Sequence, residues 1–206
     1  MTDVAAAPRI DGRTARATRT RNAIVDAHLA LISEGDLKPT GERIAERAGV
    51  SLRALWANFK DMEALFAASG ERVFKRQAAE HHPISSDQPL HRRVEEFCRQ
   101  RVRMLEIIAP TARAAQLKEP FSASLRRNRA RHIAAVRAEL EALFAAELDA
   151  AGAGREQVSY ALTVAATWSN WSMLRDELEL GVEEARGVMV RTITALLLSA
   201  MASGVG

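Results

Sequence analysis

Apolar side chains recur along this chain at spacings of three and four, and no stretch alternates in the two-residue rhythm of a half-buried strand. The pattern predicts helices joined by short breaks. The first runs from about Arg19 to Ser33, with Ile24, Ala27 and Leu31 on one face, and stops at Glu34-Gly35. A short second helix follows Pro39-Thr40, where the threonine is placed to cap free backbone N–H groups, and ends at Ala48-Gly49. A third begins at Ser51, another good cap, and carries Leu55 and Phe59 four apart. A fourth begins near Asp61 and reaches towards Glu80.

The segment from His81 to Pro89 holds two prolines and three small polar residues and reads as a linker. After it comes a helix with Val94, Phe97, Arg101, Met104 and Ile108 in register, and then a short piece bracketed by Pro110 and Pro120. A long helix is predicted from about Ser122 to Ala150, with Ile133, Val136, Leu140, Leu143 and Phe144 inward, broken at Gly152-Ala153-Gly154. Two more close the chain, about 155–178 and 182–202, divided near Gly181. Neither Tyr160–Leu174 nor Thr192–Gly206 contains a charged residue. A helix apolar nearly all round is buried on more than one side, which suggests a partner subunit. The fold class expected is all-α, with about nine helices.

Composition changes little in this picture. The chain has 206 residues, 48% of them hydrophobic and 27% charged, as a soluble globular protein has. The single Cys98 excludes an internal disulfide or a cysteine-based zinc site and suits a reducing cytoplasm. The N-terminus lacks an apolar core of signal-peptide length, and no uninterrupted run of about 18 apolar residues stands out, so no membrane partner is expected. Charge is more informative. Arg9, Arg13, Arg16, Arg19 and Arg21 stand against Asp11 alone, and the net charge of the whole chain is only +3. A flexible basic arm over residues 1–18, ahead of a nearly neutral body, suits a polyanion.

The informative stretch is Thr40–Phe66, TGERIAERAGVSLRALWANFKDMEALF. Two short helices meet at a tight Ala48-Gly49-Val50 turn. Ile44, Ala48, Val50 and Leu55 point inward, and the small Ala45 lets the helices cross closely. Leu52, Arg53, Ala54, Trp56 and Asn58 are left outward or at the rim, a division that suits entry into a major groove about 12 Å wide. These residues resemble the DNA-binding domain of the tetracycline-repressor family of regulators. The matching runs are Ile44-Ala45-Glu46-Arg47-Ala48-Gly49-Val50-Ser51, then Ala54-Leu55-Trp56-Ala57-Asn58-Phe59, then Lys60-Asp61-Met62-Glu63-Ala64-Leu65. The upstream TRTRNAIVDAHLALISEG resembles the family's first helix, so the likeness covers about residues 19–66.

The resemblance implies a helix-turn-helix DNA-binding domain over 19–66 and a helical ligand-binding and dimerisation domain over 67–206. It implies a homodimer on a pseudo-palindromic operator in double-stranded DNA, no cofactor, and a small-molecule effector, with repression the commoner mode. It places Thr40 and Arg43 against phosphates, opens the recognition helix with Ser51, Leu52 and Arg53, and sets Lys60 on the backbone. Three positions depart from the family pattern. Ala54 stands for a threonine and offers only apolar contact, Trp56 replaces a tyrosine hydroxyl with an indole N–H, and Asn58 stands for a histidine. Arg53 is the candidate base reader, since a guanidinium pairs with guanine O6 and N7.

In the second part, Trp168 and Trp171 lie three apart, and Phe97, Met104 and Met173 are expected to face the same interior, a lining suited to an apolar or planar ligand. Plain core packing is the alternative for each. The uncharged stripes of Val158, Leu162 and Ala165, and of Met189, Ile193, Leu196 and Leu197, are candidate dimer-interface positions. His81-His82 reads as solvent-exposed rather than metal-binding, and Arg126–Arg131 as a solvated helix start rather than a second polyanion site. No Gly-rich phosphate loop, His-x-x-x-His pair or Ser-centred elbow points to an enzyme. A structural or nucleoid DNA-binding protein of the same fold without a ligand is the alternative to a regulator.

Overall fold

The computed structural model describes residues 12–203, and among these every regular element is helical. The chain divides into two compact units at Arg72–Val73, inside a helix, rather than after residue 66.

The first unit holds α1 (Gly12–Ser33), α2 (Gly41–Arg47), α3 (Leu52–Asn58) and the start of α4 (Met62–Glu80). Its core is Ile24, Val25, Leu31 and Ile32 of α1, Ile44 and Ala45 of α2, Leu55 and Phe59 around α3, and Leu65 of α4, all buried. His28 is buried with them, its Nδ1 2.9 Å from Ser69 Oγ. Both helix endings that frame the short pair follow one rule. Gly35 (φ +98°) and Gly49 (φ +65°) adopt the left-handed conformation, so that Asp36 N–H reaches Leu31 O and Val50 N–H reaches Ala45 O, each at 3.0 Å. The expected arm is corrected here. Residues 12–18 are already helical, extended by an Arg-, Thr- and Ala-rich stretch without a breaker, and residues 1–11 lie outside those described.

The second unit holds the rest of α4, then α5 (Leu90–Lys118), α6 (Ala123–Leu143), α7 (Ala145–Ala150), α8 (Arg155–Ala165), α9 (Trp168–Ser172) and α10 (Val182–Ser203). That makes ten helices among the described residues. Phe97, Leu105, Leu140, Phe144, Leu148, Leu162, Trp171, Met189, Ile193 and Leu197 form one buried cluster, and α10 packs on α5, α7 and α8.

Three expected boundaries move. Pro110 lies inside α5 instead of ending it, because Ala109 and Ala114 on either side are buried and packing outweighs the one N–H bond that proline removes. The predicted 122–150 helix breaks at Phe144, whose ring is buried, and the Leu143 carbonyl is taken by Arg93 Nη1 at 2.9 Å. The predicted 155–178 helix breaks at Ala166-Thr167. Thr167 is extended, its hydroxyl donates to Val164 O at 2.9 Å, and the Ala166 carbonyl accepts from Arg101 Nε at 2.7 Å. The restarted helix widens into a π turn over Met173–Glu177. By length and composition α10 is able to cross a membrane, yet Ala185, Met189, Ile193, Leu197 and Ala200 along one side are core residues.

Candidate functional site

The short helices α2 and α3 are both capped from the side chain that precedes them. Thr40 Oγ1 accepts from Arg43 N at 3.4 Å, and Ser51 Oγ accepts from Ala54 N at 3.1 Å. Ile44, Ala45 and Leu55 are buried between them, whereas Ala48 and Val50 are half-buried. Leu52 and Trp56, four apart on α3, lie over Gly41 at the start of α2, the Trp56 ring so close that a Cβ there would stand 2.6 Å from Cζ2. The glycine therefore sets how closely the start of α2 approaches α3. Nothing in a propensity or cap reading marked it, though its place opposite an indole was a usable signal.

Thr40, Arg43, Ser51, Arg53, Trp56 and Lys60 are exposed, and Leu52, Ala54 and Asn58 are half-buried. Arg53 has no ion-pair partner among the described residues, which leaves its fork available. Lys60 is 84% exposed, 3.7 Å from Asp61. Arg43 is 3.0 Å from Asp36, so a phosphate would have to compete with that carboxylate. Asn58 turns back on its own helix, Nδ2 donating to Ala54 O at 2.8 Å, and is committed there. Arg21, which the charge pattern alone assigned to a basic run, has a structural role. Its guanidinium lies 4.0 Å over the Phe59 ring and donates to the Asn58 carbonyl at 2.6 Å, tying the end of α3 to α1.

Of the five residues expected to line a ligand site, Phe97, Trp171 and Trp168 join one core cluster, and Met104 and Met173 do not. Phe97 and Trp171 are fully buried core. Phe97 meets Phe144 edge-on at 6.2 Å, and the Trp171 indole N–H donates to Glu106 Oε1 at 2.7 Å. Met173 is 55% exposed, because the break at Ala166-Thr167 and the π turn rotate it out of the interior. Trp168 is half-buried beneath Arg113 (5.5 Å), and its indole nitrogen is buried with no acceptor among the described residues. Met104 borders a cavity of about 60 Å³, lined also by Gln100, Arg101, Arg103, Glu139, Glu80 and His81-His82.

That region is rich in ionisable groups. Burial pulls the Arg101 guanidinium down to about 10 and raises the Glu139 carboxyl, which sits 3.7 Å from His81 Nδ1. Burial, helped by the charges of Arg131 and Arg101, lowers His132 to about 4, so it is neutral at pH 7. The Arg126–Arg131 run is engaged within the unit. Arg126 holds the Glu119 and Pro120 carbonyls, Arg129 meets Glu119 and Ser169, and Arg131 stacks on Phe74 at 4.4 Å.

The expected dimer positions turn into the subunit. Leu162, Ala165, Met189, Ile193 and Leu197 are buried in the subunit's own core, and Val158 and Leu196 are packed against it. The opposite faces are apolar as well. On α8, Tyr160 and Val164 (63%) are exposed, and on α10 so are Val188, Leu198 (54%) and Met201. When both faces of a helix are apolar, spacing alone does not say which one the chain keeps for itself.

Among solved structures, the chain resembles the crystal structure of a transcriptional regulator from Rhodococcus sp. Rha1, with a TM-score of 0.65 and 19% sequence identity. The match covers 90% of this chain and 97% of that one. At that identity the likeness is one of fold. No protein-family model matches the chain, and no curated protein does.

Proposed function

We propose that this chain is a DNA-binding transcriptional regulator of the tetracycline-repressor type, acting in the cytoplasm rather than as an enzyme. The observation that carries the reading is the α2–α3 pair, two capped short helices closely packed at Gly41 and Trp56, with Arg53 exposed and unpaired on the outer edge. A fold shared with a structure described as a transcriptional regulator supports it. Arg53 reads a base edge, while Lys60, Thr40 and the exposed Arg16 and Arg19 supply phosphate contacts without sequence information. Arg43 joins them once it leaves Asp36.

The second unit pairs with a second copy. An outward face with Val164 on α8 and Val188, Leu198 and Met201 on α10 is more apolar surface than a soluble subunit keeps bare, and a two-fold partner covers it with the same residues. Two recognition helices then require a pseudo-palindrome with half-sites about one turn, 34–36 Å, apart or a multiple of it. A small effector held in the second unit releases the DNA, which makes the chain a repressor. Ligand-dependent release separates this from a nucleoid protein of the same fold.

An unbiased selection of genomic fragments by the purified protein at low salt tests the reading. Enrichment of a palindromic site is expected, and uniform retention or no retention of fragments rejects it.

A further inference from the structure

We propose that the cavity beside Arg101 holds the acidic headgroup of a small carboxylate-bearing effector, with Arg101 as its ion partner. This rests on the reading above only in calling the ligand an effector; the binding itself is independent of DNA.

Arg101 is a part-buried cation whose guanidinium borders the cavity. Its Nε is spent on the Ala166 carbonyl at 2.7 Å, and among the described residues its two terminal nitrogens have no hydrogen-bonded or ion-paired partner. Glu139 attracts it through space but makes no hydrogen bond or ion pair with it among the described residues. Arg103 and Glu80 at the rim offset each other at 3.7 Å, and Glu139 lies against His81 instead. Burial weakens its hold on the proton, yet at about 10 it remains charged at neutral pH. A second cation, Arg131, adds to the positive field, and both arginines help to keep His132 neutral. Two terminal N–H groups without a hydrogen-bond acceptor, bordering a cavity, are donors that an arriving carboxylate accepts from.

Size and shape select the anion. A cavity of about 60 Å³ has room for a flat carboxylate. The two free terminal nitrogens of a guanidinium match its two oxygens, and a tetrahedral dianion is bulkier and is repelled more strongly by Glu139. Met104 on the floor is a flexible apolar wall for the first carbons of a tail, which leaves past His81-His82. Where the sequence suggested an apolar or planar ligand, this cavity suits an amphipathic acid.

The test uses the full chain without DNA and titrates acetate, hexanoate and benzoate, with hexanamide and hexylamine as neutral and cationic matches, by calorimetry and thermal shift. Hexanoate is expected to bind saturably, hexanamide about tenfold more weakly, as a charge-assisted pair differs from a neutral one, and hexylamine not at all. Arg101→Gln should abolish the preference for hexanoate over hexanamide, Arg101→Lys should weaken it, and Glu139→Gln should tighten hexanoate binding by removing the opposing carboxylate. Should Arg101→Gln fail to fold, the Lys and Glu139→Gln variants decide alone. Equal binding of acid and amide, no response to any of the three acids at millimolar concentration, or weaker hexanoate binding in Glu139→Gln overturns the proposal. Because none of these readouts involves DNA, a failed fragment selection and a failed acid titration are told apart.

Discussion

A Cβ added to Gly41 would stand 2.6 Å from Cζ2 of Trp56, closer than nonbonded carbon atoms approach. Gly41→Ala therefore forces the indole aside. Two effects on stability oppose one another, about 1 kcal/mol gained in helix propensity and about 1–3 kcal/mol of overpacking. Net stability should fall by up to about 2 kcal/mol, and DNA affinity should fall because α3 shifts under the ring. In Gly41→Ala/Trp56→Ala the clash is gone and the propensity gain should emerge. A double-mutant cycle in urea checks this, and strictly additive effects would show that the contact is not there.

Arg53 and Lys60 are both exposed cations on the same unit, but the proposal gives them different work. Arg53→Ala should cost about 1–3 kcal/mol on the best operator and little on sequences with the contacted guanine changed. Lys60→Ala should weaken all sequences alike and lower the salt slope by about one. Affinities measured on an operator series at several salt concentrations decide between them. Parallel losses for the two variants on every sequence would remove the division.

Caps, turn glycines and the α2–α3 register are local features, so the first unit was legible from Thr40, Gly49 and Ser51 alone. The extension of α1 to Gly12 was missed because a run of arginines carries no apolar stripe to read. In the second unit the decisive facts are non-local. Whether Pro110 ends a helix depends on the packing of Ala109 and Ala114, and whether Leu143 keeps its helical bond depends on Arg93, fifty residues away. Arg101 was read in register with Val94, Phe97, Met104 and Ile108 on α5, but nothing near it in sequence shows that its Nε meets the Ala166 carbonyl, 65 residues away.

Leu197 and Leu198 are adjacent on α10, one fully buried and the other 54% exposed. In the proposed dimer the pair separates subunit core from subunit contact. Leu197→Ala should destabilise the fold by about 2–5 kcal/mol and leave the oligomer intact where folded. Leu198→Glu, and likewise Val164→Glu, should keep the helical content, yield a monomer in analytical ultracentrifugation and lose operator affinity with it. A dimer that survives both glutamates would place the interface elsewhere.

Arg93 and Glu147 form an ion pair only 8% exposed on each side, with Nη1 and Nη2 3.0 and 2.5 Å from the two carboxylate oxygens. Arg93 also donates from Nε to Gln88 O and from Nη1 to Leu143 O, each at 2.9 Å, so it ties the linker to the α6–α7 break. Burial alone would raise the Glu147 carboxyl, but the hydrogen bonds and charge of Arg93, with a backbone donor, outweigh it and hold the group below its ordinary value of 4.5. A folded-state value below the unfolded one means that the stabilisation is present above about 4.3 and is lost as pH falls through the folded value. Arg93→Met strands a buried carboxylate and should cost about 3–5 kcal/mol at pH 7. Its deficit should shrink as pH drops towards 5, because Glu147 is then free to protonate. Arg93→Met/Glu147→Leu should recover most of the loss and show a flatter acid limb than the native chain. Denaturant unfolding of the three proteins across that pH range measures each point, and an Arg93→Met deficit that grows on acidification would mean that the carboxylate was never the stranded group.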